Sequence, residues 1–131
     1  MKRLMIVWAI SLTKTMTTIM THLELSEKLA LAIGWRQDQI RIYPTGTLYC
    51  PCATDTTVGI VFDYRNWAVI GPIATRYNCF PINASEQWQV EYITKITDKN
   101  GSVRFNEIAF GQTPQEAIAK AVLRITLYPD N

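Results

Sequence analysis

One histidine, three cysteines and six glycines are scattered through 131 residues, and each scarcity removes a class of function. The glycines stand singly, so no Gly-rich loop is available to cradle a phosphate. An odd cysteine count leaves one thiol outside any disulfide scheme. Cys50 and Cys52 are separated only by Pro51, too tight a spacing for an unstrained bridge. This usage points to a reducing compartment. Basic residues number 13 against 11 acidic ones, for a net charge of +2, and no basic run exists beyond Lys2-Arg3. Phosphate neutralisation needs a concentrated cationic surface, so this is not the composition of a dedicated nucleic-acid binder. The apolar stretch Leu4 to Ile10 is too short to span a bilayer and is followed by Lys14, which argues against a membrane protein. Repeats, low-complexity tracts and linkers are missing as well.

What is present fits one domain. The chain is 48% hydrophobic, enough for a core and far from a disordered composition. Residues 1–19 read as an N-terminal extension or an extra strand, and 20–128 as a single domain. Lys2-Arg3 followed by an apolar run resembles a stunted signal peptide without a clear cleavage site. A packed first strand or an upstream extension of the reading frame, with Met16 or Met20 as alternative starts, is the simpler account of the segment. As a strand it could pair with its counterpart on another copy and give a homodimer.

Periodicity predicts a first helix over about His22 to Trp35, with Thr21 and Glu24 in capping-box spacing and Gly34 as its breaker. Short strands follow at Ile40 to Tyr43, Leu48 to Cys52 and Val58 to Phe62, with a turn at Pro44-Thr45-Gly46. Pro51 should confine the second of these to a sheet edge. Asp63 or Asn66 caps a helix over Trp67 to Tyr77, in which Gly71-Pro72 predicts a kink or a late start, and Asn78 is a left-handed exit. Cys79 to Ile82 is a further strand. Gln87 to Thr97 alternates as a half-buried strand, Asp98-Lys99-Asn100-Gly101 is a hairpin turn, and Val103 to Phe110 returns. The apolar phase of that return switches between Phe105 and Ile108, which predicts a bulge near Asn106-Glu107. Thr113-Pro114-Gln115-Glu116 is a strong helix start, and Ala117, Ile118, Ala121, Val122 and Ile125 form the buried stripe of the helix it opens. The order of elements predicts an α+β fold: an antiparallel sheet of three to four strands with about three helices packed on its faces.

Chemistry-bearing groups are sparse. Cys50, Cys52, Cys79 and His22 are the one conceivable zinc set, but paired ligands are normally two to four residues apart and no second pair exists. His22 with Cys79 or Cys52 is the only conceivable nucleophile–base pair, against the simpler reading of His22 as a first-turn surface residue. Asp55 and Asp63 suit turns and caps. Glu91 and Glu107, with Lys95 and Arg104, suit a solvated charge ladder across the hairpin. Neither a catalytic residue nor a cofactor is expected. The middle of the chain interleaves aromatics and arginines, and Arg41, Tyr43, Tyr49, Tyr64, Arg65 and Arg76 are the candidate binding residues. These types dominate protein–protein contacts and can also clamp a nucleotide. The alternative is that Trp67 and Tyr77 are core and the arginines solvated.

Three features, taken in chain order, carry a resemblance: a short helix ending in tryptophan (Leu25 to Trp35), a helix ending in an aromatic (Asn66 to Tyr77), and Trp88 on a strand before Gly111-Gln112-Thr113-Pro114-Gln115-Glu116-Ala117-Ile118. Together they resemble the phage ABA sandwich domain family over about Met20 to Thr126. Residues 1–19 and Cys50-Pro51-Cys52 depart from it. The resemblance implies helices on both sides of a sheet and a phage or prophage accessory protein in a bacterial cytoplasm. It carries no catalytic residues. The expected function is non-covalent binding of a host or phage protein, such as a host-defence or regulatory component, with sequestration of a small nucleotide signal as the alternative.

Overall fold

The computed structural model describes residues 20–127 except Ala53 and Thr56, so the N-terminal segment and its proposed strand lie outside the described residues. Over the described residues the fold is α+β, with three helices and two antiparallel three-stranded sheets. Helix α1 (His22–Ala32) starts where Thr21 accepts a hydrogen bond from the Glu24 N–H at 3.1 Å. It stops at Gly34, whose φ of +117° is open to glycine, while the Trp35 N–H reaches back to the Ala30 carbonyl. Its buried stripe is Leu25, Ser26, Leu29 and Ala30.

A small sheet follows, made of β1 (Arg41–Ile42), β2 (Leu48–Pro51) and β3 (Gly59–Val61) in that order. Pro51 therefore lies on the central strand, contrary to the expectation of an edge. The bonds joining β2 to β3 run from the Phe62 N–H to the Leu48 carbonyl and from the Cys52 N–H to the Val58 carbonyl. Alternation turns the main chain of residue 51 the other way, and β1, which pairs only with Leu48 and Tyr49, does not reach it. The missing N–H thus breaks no ladder bond.

Helix α2 (Trp67–Tyr77) is capped by Asn66, which accepts from the Ala68 N–H at 2.9 Å, and it leaves through Asn78 in the left-handed region. The helix starts at Trp67 and runs on through Pro72, so the late start does not occur. Proline removes the donor that would serve the Ala68 carbonyl, and both residues are exposed, where water can replace it.

The larger sheet is β4 (Pro81–Ala84), β5 (Gln87–Asp98) and β6 (Gly101–Gly111), with β5 in the middle. Gly101 takes the positive φ at the hairpin turn, +128°. Pairing of β5 with β6 is continuous from Trp88↔Gly111 to Asp98↔Gly101, so the expected bulge is not there. The phase switch has another cause: Phe105 lies on one face and Ile108 and Phe110 on the other, because both faces carry apolar residues. Helix α3 (Pro114–Leu127) begins where Thr113 accepts from the Glu116 N–H at 3.2 Å. It lies on the face that holds Val90, Tyr92, Thr94 and Ala109, and α1 and α2 pack against its other sides. Burial of Ala117, Ile118, Ala119, Ala121 and Val122 puts nearly every side of its first turns in the core. Ile125 is half-buried. Three alanines let the neighbours approach closely. At Gly111 the contact is closer still, since a Cβ there would stand 2.5 Å from the Ala117 nitrogen.

Candidate functional site

The six sequence-selected binding residues fall in three places. On the small sheet, Arg41 pairs across with Tyr49, and Tyr49 with Val61 on its other side, so the three form one row. The Tyr43 ring meets Tyr49 edge-on with centroids 5.0 Å apart. Arg41 and Tyr43 are exposed and Tyr49 is half-buried. These three share a surface.

Tyr64 does not join them. It is 1% exposed, its hydroxyl is hydrogen-bonded to His22 Nδ1, and its N–H donates to the buried Ser26 Oγ at 3.1 Å. Desolvation, reinforced by the nearby Glu116 charge, pushes the phenol up to about 12. Next to it, Arg65 closes an ion pair with Asp63 at 2.7 Å, and hydrogen bonding from that guanidinium holds the Asp63 carboxyl below the usual range. The Arg65 carbonyl accepts from Gln115 Nε2 at 3.1 Å. This constellation clasps α1 and the start of α3 to the entry of α2. Arg76 is at the opposite end of α2, about 15 Å along its axis. There Nη1 donates to the Ile33 carbonyl and the guanidinium lies 5.2 Å from the Tyr77 ring centroid. Tyr77 is half-buried, whereas Trp67 is 50% exposed.

The thiols divide by environment. Cys50 and Cys79 are buried, and desolvation pushes both up to about 11. Cys52 is half-buried; a hydrogen bond with the Thr54 hydroxyl, 3.1 Å away, lowers its pKa. His22 spends its Nδ1 on Tyr64. Among the described residues no group of three or more His, Cys, Asp or Glu side chains could hold a metal ion.

The charge ladder is arranged otherwise than expected. Glu91 pairs with Ile108 and Glu107 with Tyr92, on opposite faces, and Lys95 stands across from Arg104. Glu107 accepts from the Tyr92 hydroxyl at 2.8 Å. Burial first, then that bond, pushes Tyr92 up to about 12.

Sequence reasoning missed the most conspicuous surface, the face of the larger sheet turned away from α3. Ile82, Gln89 and Phe110 form one row across it, Glu91 and Ile108 the next, and Ile93 with Asn106 the next. Phe80 precedes β4 in the same phase as Ile82. Phe80, Ile82, Ile93, Ile108 and Phe110 are 44–57% exposed. The signal was the second apolar phase of Ile108 and Phe110, which period-two alternation assigns to this face once the pairing is known to be unbroken. No helix among the described residues is long and apolar enough to cross a membrane. No protein-family model matches the chain, and no curated protein is significantly similar to it.

Proposed function

We propose that this chain works by binding another protein through the open face of the β4–β5–β6 sheet, as a small phage or prophage accessory protein that blocks a host-defence or host regulatory component in the bacterial cytoplasm. The carrying observation is that face: five large apolar side chains, each 44–57% exposed, in adjoining rows. Scattered surface apolars are ordinary, but apolar side chains in adjoining rows of one sheet face offer the area of a protein contact. The phage setting rests on the family resemblance, and the reading involves no catalysis.

The test compares the chain with a Phe80→Asp/Ile82→Asp variant as bait in bacterial lysate. Both positions are exposed, so the variant loses no buried packing, and unchanged circular dichroism checks that it keeps its fold. A partner held by the native chain and lost by the variant supports the proposal, and equal recovery by both removes it.

A second reading, capture of a small nucleotide, draws on the row of Arg41 and Tyr49 with Tyr43 against it. Tyr64, Arg65 and Arg76 are elsewhere, which leaves that trio to do the work. Ligand-dependent stabilisation grows as RT ln(1 + [L]/Kd), so a nucleotide that raises the melting temperature, and ceases to do so in Arg41→Ala, would favour it.

A further inference from the structure

Strand β6 is an edge strand, and no strand among the described residues pairs with its outer side. It is long and unbroken, with Val103, Phe105, Ile108 and Phe110 43–55% exposed between the polar residues Ser102, Arg104, Asn106 and Glu107. Natural edges of this length are normally blunted by several charges, a bulge, a proline or a cover, since a bare one is a template for another strand; β6 carries two charges, Arg104 and Glu107. β6 has no proline, and its pairing with β5 is without a bulge.

The strand is also unequally covered. At about 1.5 Å per residue the 14 residues of α3 span roughly 21 Å, against roughly 36 Å for the 11 residues of β6. The helix starts beside Gly111 and covers that end, where Ala109 is buried. Beyond it, Val103 and Phe105 lie on the same face as Ala109 but are 55% and 43% exposed.

We infer that a second copy of this chain completes the edge: two β6 strands pair antiparallel about a two-fold axis perpendicular to the sheet at Asn106, giving one six-stranded sheet. Antiparallel pairing sets the bare end of each strand beside the covered end of the other. Val103 then faces Ala109 of the second copy, beside that copy's α3, and Phe105 faces Glu107 of the second copy. Such mutual fit is what an isologous contact requires. Charge limits the register. An axis at residue 104 would set Arg104 against itself, and one at 107 would do the same to Glu107; like charges directly opposite are unfavourable. Asn106 lies between these and is the midpoint of the strand, which allows full overlap. The pairing is independent of the function proposed above and leaves the open face free on both copies.

Light scattering or sedimentation of the full chain should give twice the chain mass. Val103→Lys/Phe105→Lys, at exposed positions where edge lysines oppose pairing, should give the single-chain mass with unchanged circular dichroism. In a Cys52→Ser background, Asn106→Cys should oxidise to a covalent dimer joined at the substituted position, because opposed Cα atoms in a paired ladder fall within disulfide range. A native chain that stays at single-chain mass overturns the inference. So does a lysine variant that remains dimeric, or an Asn106→Cys protein that fails to cross-link. Phe80→Asp/Ile82→Asp should remain dimeric, so loss of partner binding there and loss of the dimer here are separate results.

Discussion

The β5–β6 hairpin has two halves built from the same kind of sequence and placed in opposite surroundings. In the half next to Gly111, Val90, Tyr92 and Ala109 are buried beneath α3. In the half next to the turn, Ile96, Val103 and Phe105 occupy the same face and stay 43–55% exposed. β-propensity is alike in both, so the difference teaches that strand formation and burial are separate matters. Cross-strand pairing makes the ribbon, and the length of one helix decides how much of it becomes core.

The contrast breaks most readily on the covered side. Ile118→Ala removes a fully buried side chain from α3 and should cost roughly 2–4 kcal/mol, read from chemical denaturation. Gly111→Ala should cost about 1–3 kcal/mol, because its Cβ would stand 2.5 Å from the Ala117 nitrogen, and backbone must shift to admit it. Thr113→Ala removes the cap that accepts from the Glu116 N–H and should cost about 1 kcal/mol. Alkali sharpens the comparison further. The Tyr92 phenol is raised from its ordinary 10 to about 12 in the folded chain. Its contribution is therefore fully present below about pH 10, where the unfolded chain also holds the proton, and is lost as pH rises from there toward 12. Tyr92→Phe should make denaturation midpoints fall less steeply across that window. On the bare side, Ile96→Thr should shift stability by no more than about 0.5 kcal/mol. An effect there as large as that of Ile118→Ala would mean the two halves are equally covered.

Much of the fold could be read in the order of residues because the signals are short. Thr21 and Thr113 cap helices as expected, Asn66 caps the second where Asp63 was the other candidate, and Gly34 and Asn78 end helices, since each acts on backbone groups within a few positions. The expectations that differed depend on distant partners. Pro51 suggested an edge because the sequence cannot show that β1 stops short of it. The phase switch in β6 suggested a bulge because one strand alone cannot show that a sheet has apolar residues on both faces. Tyr64 looked like a surface aromatic until His22 and Ser26, from a helix far back in the chain, enclosed it.

By itself the sequence determined the α+β class, the caps, breakers and hairpin turn, and the alternation that makes β5 and β6 strands. These rest on local steric and hydrogen-bonding preferences that each short stretch carries with it. Tertiary structure alone decided that Arg41, Tyr43 and Tyr49 share a surface without Tyr64, Arg65 and Arg76, that five large apolar side chains stay exposed on one sheet face, and that β6 is the outermost strand of its sheet among the described residues. Which side chains meet, and which are left to solvent, is set by the packing of elements far apart in the chain, and no local preference encodes that.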